Sequence, residues 1–146
     1  KGIPTIVDSR YAIGDFAGVD YVKQNDAELA AAVGRTLPDE DAIYDAAQDL
    51  LQKLGAQGVL ITRGENGMVL LEKSGAIHNI PVSDRSEVYD VSGAGDTCVA
   101  VMILALAAGV EPVRAAELSN VAAGIAVRKL GTATVSVEEL NRALAD

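Results

Sequence analysis

Tryptophan is absent from the 146-residue chain, and the other aromatic residues are four tyrosines and one phenylalanine. So few rings provide no platform on which nucleic-acid bases would stack. Positive charge is also scarce, because twelve lysines and arginines stand against twenty-one acids and leave a net charge of −9. Nucleic-acid surfaces normally carry a basic stripe. We therefore expect no nucleic-acid partner.

Cysteine and histidine occur once each, as Cys98 and His78. A single cysteine forms no internal disulfide, and Cys98 lies in an apolar pattern typical of a small core residue in a reducing cytoplasm. The sequence has no Cys/His cluster for zinc and no readable Ser/His/Asp set. The longest strongly apolar run, 98–108, is far shorter than the ~20 residues of a bilayer span. We expect a soluble, cytoplasmic protein without a membrane partner.

Hydrophobic residues make up 49% of the chain, with no repeat or linker. This composition suits one domain, 1–146, around one core. The chain begins K-G-I-P-T-I-V-D, without an initiator methionine and in the pattern of a strand already under way. We therefore expect a fragment of a longer protein.

Short apolar strands alternate with capped helices along the sequence. The expected strands are 5–7, 21–23, 58–62, 68–71 and 76–82. The expected helices are 25–33, 36–54, 97–108, 113–129 and 137–145. Helix 97–108 is apolar on every side, as expected for a helix buried in the middle of a domain.

The stretch Tyr89–Thr97 reads Y-D-V-S-G-A-G-D-T and leads into that apolar helix. Gly93 and Gly95 leave room for backbone N–H groups to converge on one anion at the positive end of the helix. Asp96 would then face a phosphate, which favours a general base for an alcohol. A simpler interpretation has similar weight: a glycine turn, with Ser92 as N-cap and Asp96 as a first-turn acid.

The octapeptide D-V-S-G-A-G-D-T resembles the C-terminal signature of the ribokinase-like, or PfkB, carbohydrate kinases. The resemblance implies that Gly93, Ala94 and Gly95 form an anion hole and that Asp96 takes the proton of the substrate hydroxyl. It also implies an α/β fold, the three-layer αβα ribokinase-like (Rossmann-like) architecture. This chain would be its C-terminal, nucleotide-binding half only.

A second motif of this family, N-x-x-E, matches Asn25 and Glu28. The resemblance implies that Glu28 organises Mg²⁺ and the nucleotide phosphates, often through water. The residues alone predict a capping box, in which Asn25 caps a helix and Glu28 reaches back to its N–H. Both roles are compatible, because a capped helix start fixes the carboxylate that a hydrated Mg²⁺ needs.

A third motif, T-x-G-x-x-G, matches Thr62, Gly64 and Gly67, and implies contacts with the nucleotide phosphates and ribose. Arg63 would add positive charge to that region. The residues alone favour a plain hairpin, since Asn66 and Gly67 are a common turn pair.

The long helix places Asn120, Ala123 and Gly124 on one face. Small residues on a helix face usually serve close packing, whereas the resemblance implies that adenine lies here with Asn120 near the base. The family also binds a monovalent cation, usually K⁺, beside the anion hole. The matching positions are Asp90, Ser92, Ala126, Lys129 and Gly131.

Within the family, V-D-S-R, N-D-A-E-L, T-R-G-E-N-G-M and V-Y-D-V-S-G-A-G-D-T look most like the kinase domain of heptose-phosphate kinases, often fused to a nucleotidyltransferase. Two features depart from them: no proline precedes Asn25, where relatives often have Thr-Pro-Asn, and the 146 residues contain no nucleotidyltransferase segment.

The resemblance implies ATP-dependent phosphorylation of a sugar or sugar phosphate, with the N-terminal half of the same kinase domain and a second copy of the protein as partners. The alternative is a non-catalytic nucleotide-binding module. A dinucleotide-binding oxidoreductase is disfavoured, because no G-x-G-x-x-G follows an early strand.

Overall fold

The computed structural model describes residues 2–83 and 88–145. The chain divides into two compact units. The first comprises Lys1–Arg63 and Met68–Asn79, and the second comprises Gly64–Gly67 and Ile80–Asp146. None of the helices in the described ranges has the length and apolar character that a bilayer crossing requires.

The first unit is organised around a mixed sheet of five strands in the order β1-β2-β3-β4-β5. The first three strands are parallel, and β4 runs antiparallel to β3. Each expected strand is confirmed to within a few residues. The strands are β1 Ile6–Asp8, β2 Tyr21–Asn25, β3 Gly58–Thr62, β4 Met68–Glu72 and β5 Ile77–Ile80, the last residue of which belongs to the second unit.

Two helices, α1 Asp26–Val33 and α2 Glu40–Leu54, pack on one face of this sheet. Alternate residues of β3 and β4, Val59 and Ile61 and then Val69 and Leu71, belong to the core, so one face of each strand meets the helices while the other points away. The core between these layers contains Val22, Val59, Ile61, Val69 and Leu71 from the strands and Leu29, Ile43, Ala46, Ala47, Leu50, Leu51 and Leu54 from the helices.

The second unit contains α3 Ala94–Ala107, α4 Pro112–Ala126 and α5 Val137–Ala145. Helix α4 contacts both α3 and α5. Cys98 is buried, and its Sγ lies 3.6 Å from the Oγ of Ser119 in α4. The expectation that the α3 helix is buried on every side was wrong. Cys98, Met102 and Ala105 are buried, whereas Leu104 on another face is 70% exposed.

Helix α4 ends at Ala126, three residues before the predicted end at Lys129. The carbonyl of Val127 accepts the N–H groups of Tyr89 and Asp90, at 2.9 and 3.1 Å. These bonds join the loop after α4 to the segment that leads into α3.

Candidate active site

The parallel register places two predicted nucleotide-binding residues side by side. Asn25 at the end of β2 is the direct neighbour of Thr62 at the end of β3. Carboxyl ends of parallel strands are where open α/β sheets bind ligands. The first unit therefore brings Asn25, Thr62 and the start of α1 together at one edge of the sheet.

The predicted capping box at the start of α1 is confirmed. The Asn25 side chain accepts the Glu28 N–H at 2.8 Å, and Glu28 Oε2 accepts the Asn25 N–H at 2.9 Å. The second oxygen, Oε1, lies 3.7 Å from Nε of the exposed Arg10, too far for a hydrogen bond. One oxygen of Glu28 thus fixes the carboxylate, while the other can accept water from a hydrated Mg²⁺.

Magnesium fits this arrangement as an ion shared with a nucleotide. In the part of the chain that the structure describes, no group of three or more Asp, Glu, His or Cys side chains could hold a metal. Mg²⁺ commonly uses one or two carboxylates together with phosphate oxygens and water. Glu28 fits that kind of site.

Two buried polar residues beside this edge were missed by sequence reasoning. Lys23 is 5% exposed, and its Nζ donates to Asp8 Oδ2 at 2.9 Å. Gln24 is fully buried; its Nε2 donates to the carbonyls of Ser9 and Lys23, and its Oε1 has no partner in the described structure. Lys23 and Gln24 stand where members of the family often have Thr-Pro before Asn25. This departure from the family pattern was the signal in the sequence that could have indicated them.

Arg63 was expected to add charge near the phosphates, but its guanidinium is engaged within the first unit. It donates to Glu40 at 2.9 Å and lies 3.7 Å from Asp26. Burial raises the pKa of the Asp26 carboxyl, and the nearby Arg63 partly offsets that rise. The motif alone gave no indication of these two partners.

The predicted hairpin of β3 and β4 is confirmed, and within its turn Gly64–Asn66 of the second unit form a short 3₁₀ helix. Gly67 is buried with φ of +79°, and its N–H donates to the Gly64 carbonyl at 3.1 Å. A Cβ on Gly67 would overlap the carbonyl oxygen of Ile80 and lie 2.8 Å from backbone atoms of Pro81 and Val82. The backbone of residues 80–82 therefore requires glycine at position 67.

The segment after β5 also lies against the α4 face that carries Asn120. The Asn120 amide donates to the Pro81 carbonyl at 2.8 Å. A Cβ on Gly124 would lie 2.7 Å from the Ser83 hydroxyl. Two of the three residues predicted to face adenine thus have structural contacts, and Ala123, the third, is half-buried on α4.

The start of α3 leaves backbone donors open. Gly93, with φ of +78°, precedes the helix in place of the alternative Ser92 cap. Ala94 N–H points to the Val91 carbonyl at 3.3 Å, whereas the N–H groups of Gly95 and Asp96 meet no acceptor in the described ranges. The first N–H groups of a helix attract anions when they lack internal partners.

Asp96 lies in this first turn, and its side chain is exposed. Among the residues that the structure describes, none forms a hydrogen bond or ion pair with its carboxylate. The carboxylate is thus available to a hydroxyl group from outside the chain.

Asp90 joins the two loops that carry the predicted cation ligands. Its carboxylate accepts the Ser92 N–H at 2.8 Å and the Gly131 N–H at 3.0 Å, and these bonds hold its pKa below the ordinary value. The Ala126 carbonyl accepts the Lys129 N–H at 3.1 Å, and the Lys129 Nζ contacts Glu139 of α5 at 2.7 Å. Cation binding at these five positions stays a prediction.

We expect Asp90→Asn to lower the melting temperature at neutral pH, because an amide has one acceptor oxygen for two N–H donors. The folded-state pKa of Asp90 is lowered, so its stabilisation is present above the unfolded pKa of about 3.9 and is lost as pH falls through the lower folded value. Thermal unfolding is measured at a series of pH values from 7 down to 3. The difference in melting temperature between Asp90→Asn and the unmodified protein should become smaller as the pH falls. A constant difference would contradict this role. Asp45→Asn, on the exposed face of α2, is the control.

Residues 3–140 of this chain match the family of pfkB carbohydrate kinases. The bifunctional protein HldE of Coxiella burnetii is 46% identical over 145 residues, which are 99% of this chain and 30% of that protein. HldE of Pelobacter propionicus is 42% identical over 144 residues, 98% of this chain and 29% of that protein. The chain thus spans about a third of these relatives.

Solved structures of two kinases share the fold. Escherichia coli phosphofructokinase-2 in complex with potassium superimposes with a TM-score of 0.88 at 25% identity, covering 97% of this chain and 47% of that one. Arabidopsis thaliana ribokinase complexed with ribose and ATP gives a TM-score of 0.87 at 22% identity, with the same coverage. The expected ribokinase-like α/β fold is confirmed. The chain belongs to the pfkB family of carbohydrate kinases.

Proposed function

We propose that the protein containing this chain transfers the γ-phosphoryl group of ATP to a hydroxyl of a sugar or sugar phosphate. The observation that carries the proposal is the start of α3, where the Gly95 and Asp96 N–H groups are open and the Asp96 carboxylate is exposed. Phosphoryl transfer asks a protein chiefly for positioning and for stabilisation of charge.

In this mechanism the backbone of Gly93, Ala94 and Gly95 and the positive end of α3 stabilise the charge on the phosphoryl group in transit. Asp96 accepts the proton of the acceptor hydroxyl while the oxygen of that hydroxyl bonds to the γ-phosphorus of ATP. The bond from that phosphorus to the β–γ bridging oxygen breaks, and ADP leaves with the electron pair.

The other motifs serve the nucleotide. Asn25, Thr62, Gly64 and Gly67 contact the phosphates and ribose, while Asn120, Ala123 and Gly124 form the face for adenine. Glu28 would hold a magnesium ion through one of its water ligands, and Mg²⁺ would supply neutralisation of phosphate charge when bound. The identity to HldE proteins supports this assignment.

A monovalent cation, K⁺, would bind beside the anion hole through Asp90, Ser92, Ala126, Lys129 and Gly131. The hydrogen bonds of Asp90 to Ser92 and Gly131 support the pairing of these loops. The related phosphofructokinase-2 was crystallised in complex with potassium. The cytoplasm supplies ATP and K⁺, and we propose it as the location.

Heptose 7-phosphate is the proposed acceptor. Its support is the set of motifs that resemble heptose-phosphate kinases, together with 46% identity to an HldE protein. Because the relatives are much longer than this chain, we infer that the N-terminal half of the kinase domain supplies most acceptor contacts.

The test is a kinase assay on the intact protein with a panel of sugars and sugar phosphates, beside a calorimetric titration with ADP. We expect ADP binding together with transfer to heptose 7-phosphate in preference to unphosphorylated sugars. Binding of ADP without transfer to any acceptor would favour the alternative, a non-catalytic nucleotide-binding module.

A further inference from the structure

Arg63 lies between the first turns of two helices in the first unit. It follows β3 directly, and its Nη1 donates to Glu40 Oε1 at the start of α2, at 2.9 Å. Its Nε lies 3.7 Å from Asp26 Oδ1 at the start of α1. The Arg63 side chain is 11% exposed, so most of its charge is held away from water.

The two atoms at which Arg63 and Asp26 approach each other are buried, although the Asp26 side chain as a whole is 46% exposed. Arg63 Nε and Asp26 Oδ1 are both inaccessible to water, and neither has a hydrogen-bond partner within the described structure. Their separation makes them an ion pair rather than a hydrogen bond. Removing Arg63 would leave the inaccessible Asp26 Oδ1 without a compensating positive charge. The pair therefore ties the first residue of α1 firmly to the end of β3.

The position of Glu28 depends on that same turn. Its carboxylate is fixed by the capping box with Asn25, which is built on the first turn of α1. The only other charged contact to Glu28 in the described structure is Arg10, which lies 3.7 Å away with a side chain that is 67% exposed. Glu28 itself is only 11% exposed, but Arg10 lies mostly in water and no hydrogen bond joins the two side chains, so this pair contributes little to holding Glu28. The largely buried charge beside this turn is thus the guanidinium of Arg63, whose partner Asp26 lies two residues before Glu28.

We propose that Arg63 is a positioning residue for the magnesium and phosphate site: by clamping the first turn of α1 to the end of β3, it holds the Glu28 carboxylate in place. Arg63 touches neither nucleotide nor metal in this role, because Glu40 and Asp26 occupy its guanidinium. The inference rests on the proposed kinase function. Residues that orient a metal ligand typically change metal affinity about 10–100-fold when they are replaced.

The experiment uses the intact kinase and its Arg63→Met variant, with Mn²⁺ titrated in the presence of ADP and followed by electron paramagnetic resonance. We expect the variant to bind Mn²⁺ about tenfold more weakly. Its Mg²⁺ requirement for phosphoryl transfer should rise in parallel. Arg63→Lys should lie between the two, because an ammonium restores the charge but not the planar fork that reaches both acids.

Arg35→Met is the matched control. Arg35 also joins the helices of the first unit, through Asp49 of α2 at 2.8 Å, but both side chains are exposed, 45% and 57%. We expect its Mn²⁺ affinity to stay within about twofold of the unmodified protein, because exposed pairs contribute little. All titrations are made well below the unfolding temperature of each variant, so that affinity is compared between folded proteins.

Unchanged Mn²⁺ affinity in folded Arg63→Met, with an active unmodified kinase, would overturn the role of Arg63 and leave the proposed function intact. If Arg63→Met does not fold, the isosteric Asp26→Asn tests the same pair, and unchanged affinity there would overturn the role equally. An unmodified protein that neither binds Mn²⁺ with ADP nor transfers phosphate would reject the kinase function, and with it this inference.

Discussion

Asp96→Asn in the intact kinase should reduce the rate of phosphoryl transfer by about 10²–10⁴, the range that a general base contributes. The amide keeps the size of the side chain but does not accept the acceptor's proton at neutral pH. The N–H groups at the start of α3 are unchanged, so nucleotide affinity should stay close to that of the unmodified protein. Turnover with the preferred acceptor and a calorimetric ADP titration measure the two effects.

The alternative role of Asp96, a first-turn acid that favours the positive end of α3, makes a different prediction. Losing that interaction would cost only about 0.3–1 kcal/mol of stability and would leave turnover unchanged. Normal turnover by Asp96→Asn would therefore reject the base assignment. Asp45→Asn, in the exposed acidic face of α2, controls for the loss of one negative charge and should behave like the unmodified kinase.

Gly67→Ala should destabilise the fold by roughly 2–5 kcal/mol, the sum of overpacking and of a left-handed backbone at a residue with a Cβ. The added methyl would overlap the Ile80 carbonyl oxygen, and the neighbouring backbone of Pro81 and Val82 leaves it no other space. The Pro81 carbonyl is itself held by Asn120, so residues 80–82 are not free to move aside. Thermal unfolding and the yield of soluble protein measure this loss.

Gly64→Ala provides the matched control within the same motif. Gly64 also has positive φ, +53°, but a Cβ there would meet nothing within 4 Å. Its cost should be limited to backbone strain of about 1–2 kcal/mol. Equal destabilisation by the two variants would show that the close approach at Gly67 is unimportant.

Local signals in the sequence predicted most of the secondary structure. The capping box at Asn25 and the strand patterns around 58–72 depend on neighbouring residues, and the structure confirms them. The family motif likewise indicated the segment Gly93–Asp96 as a candidate site. Its turn into α3 depends on a local residue, because Gly93 adopts the left-handed conformation that precedes the helix.

Contacts between distant residues were not predictable in this way. Nothing near Gly67 in the sequence indicates that residues 80–82 cross it, and nothing near Asn120 indicates Pro81 as its partner. The exposure of Leu104 was missed for a related reason: an all-apolar pattern records no preferred face, so it cannot tell which side of α3 meets α4.

The arrangement of the sheet bears on how the first unit forms during synthesis. Its strands lie in the order in which they occur in the chain, so every strand pairs with the one made just before it. Closing such a sheet brings together segments of modest separation, which costs less loop entropy than bringing distant ones together. We expect the sheet to assemble strand by strand as the nascent chain leaves the ribosome, because each of β2 to β5 can pair with the strand synthesised just before it.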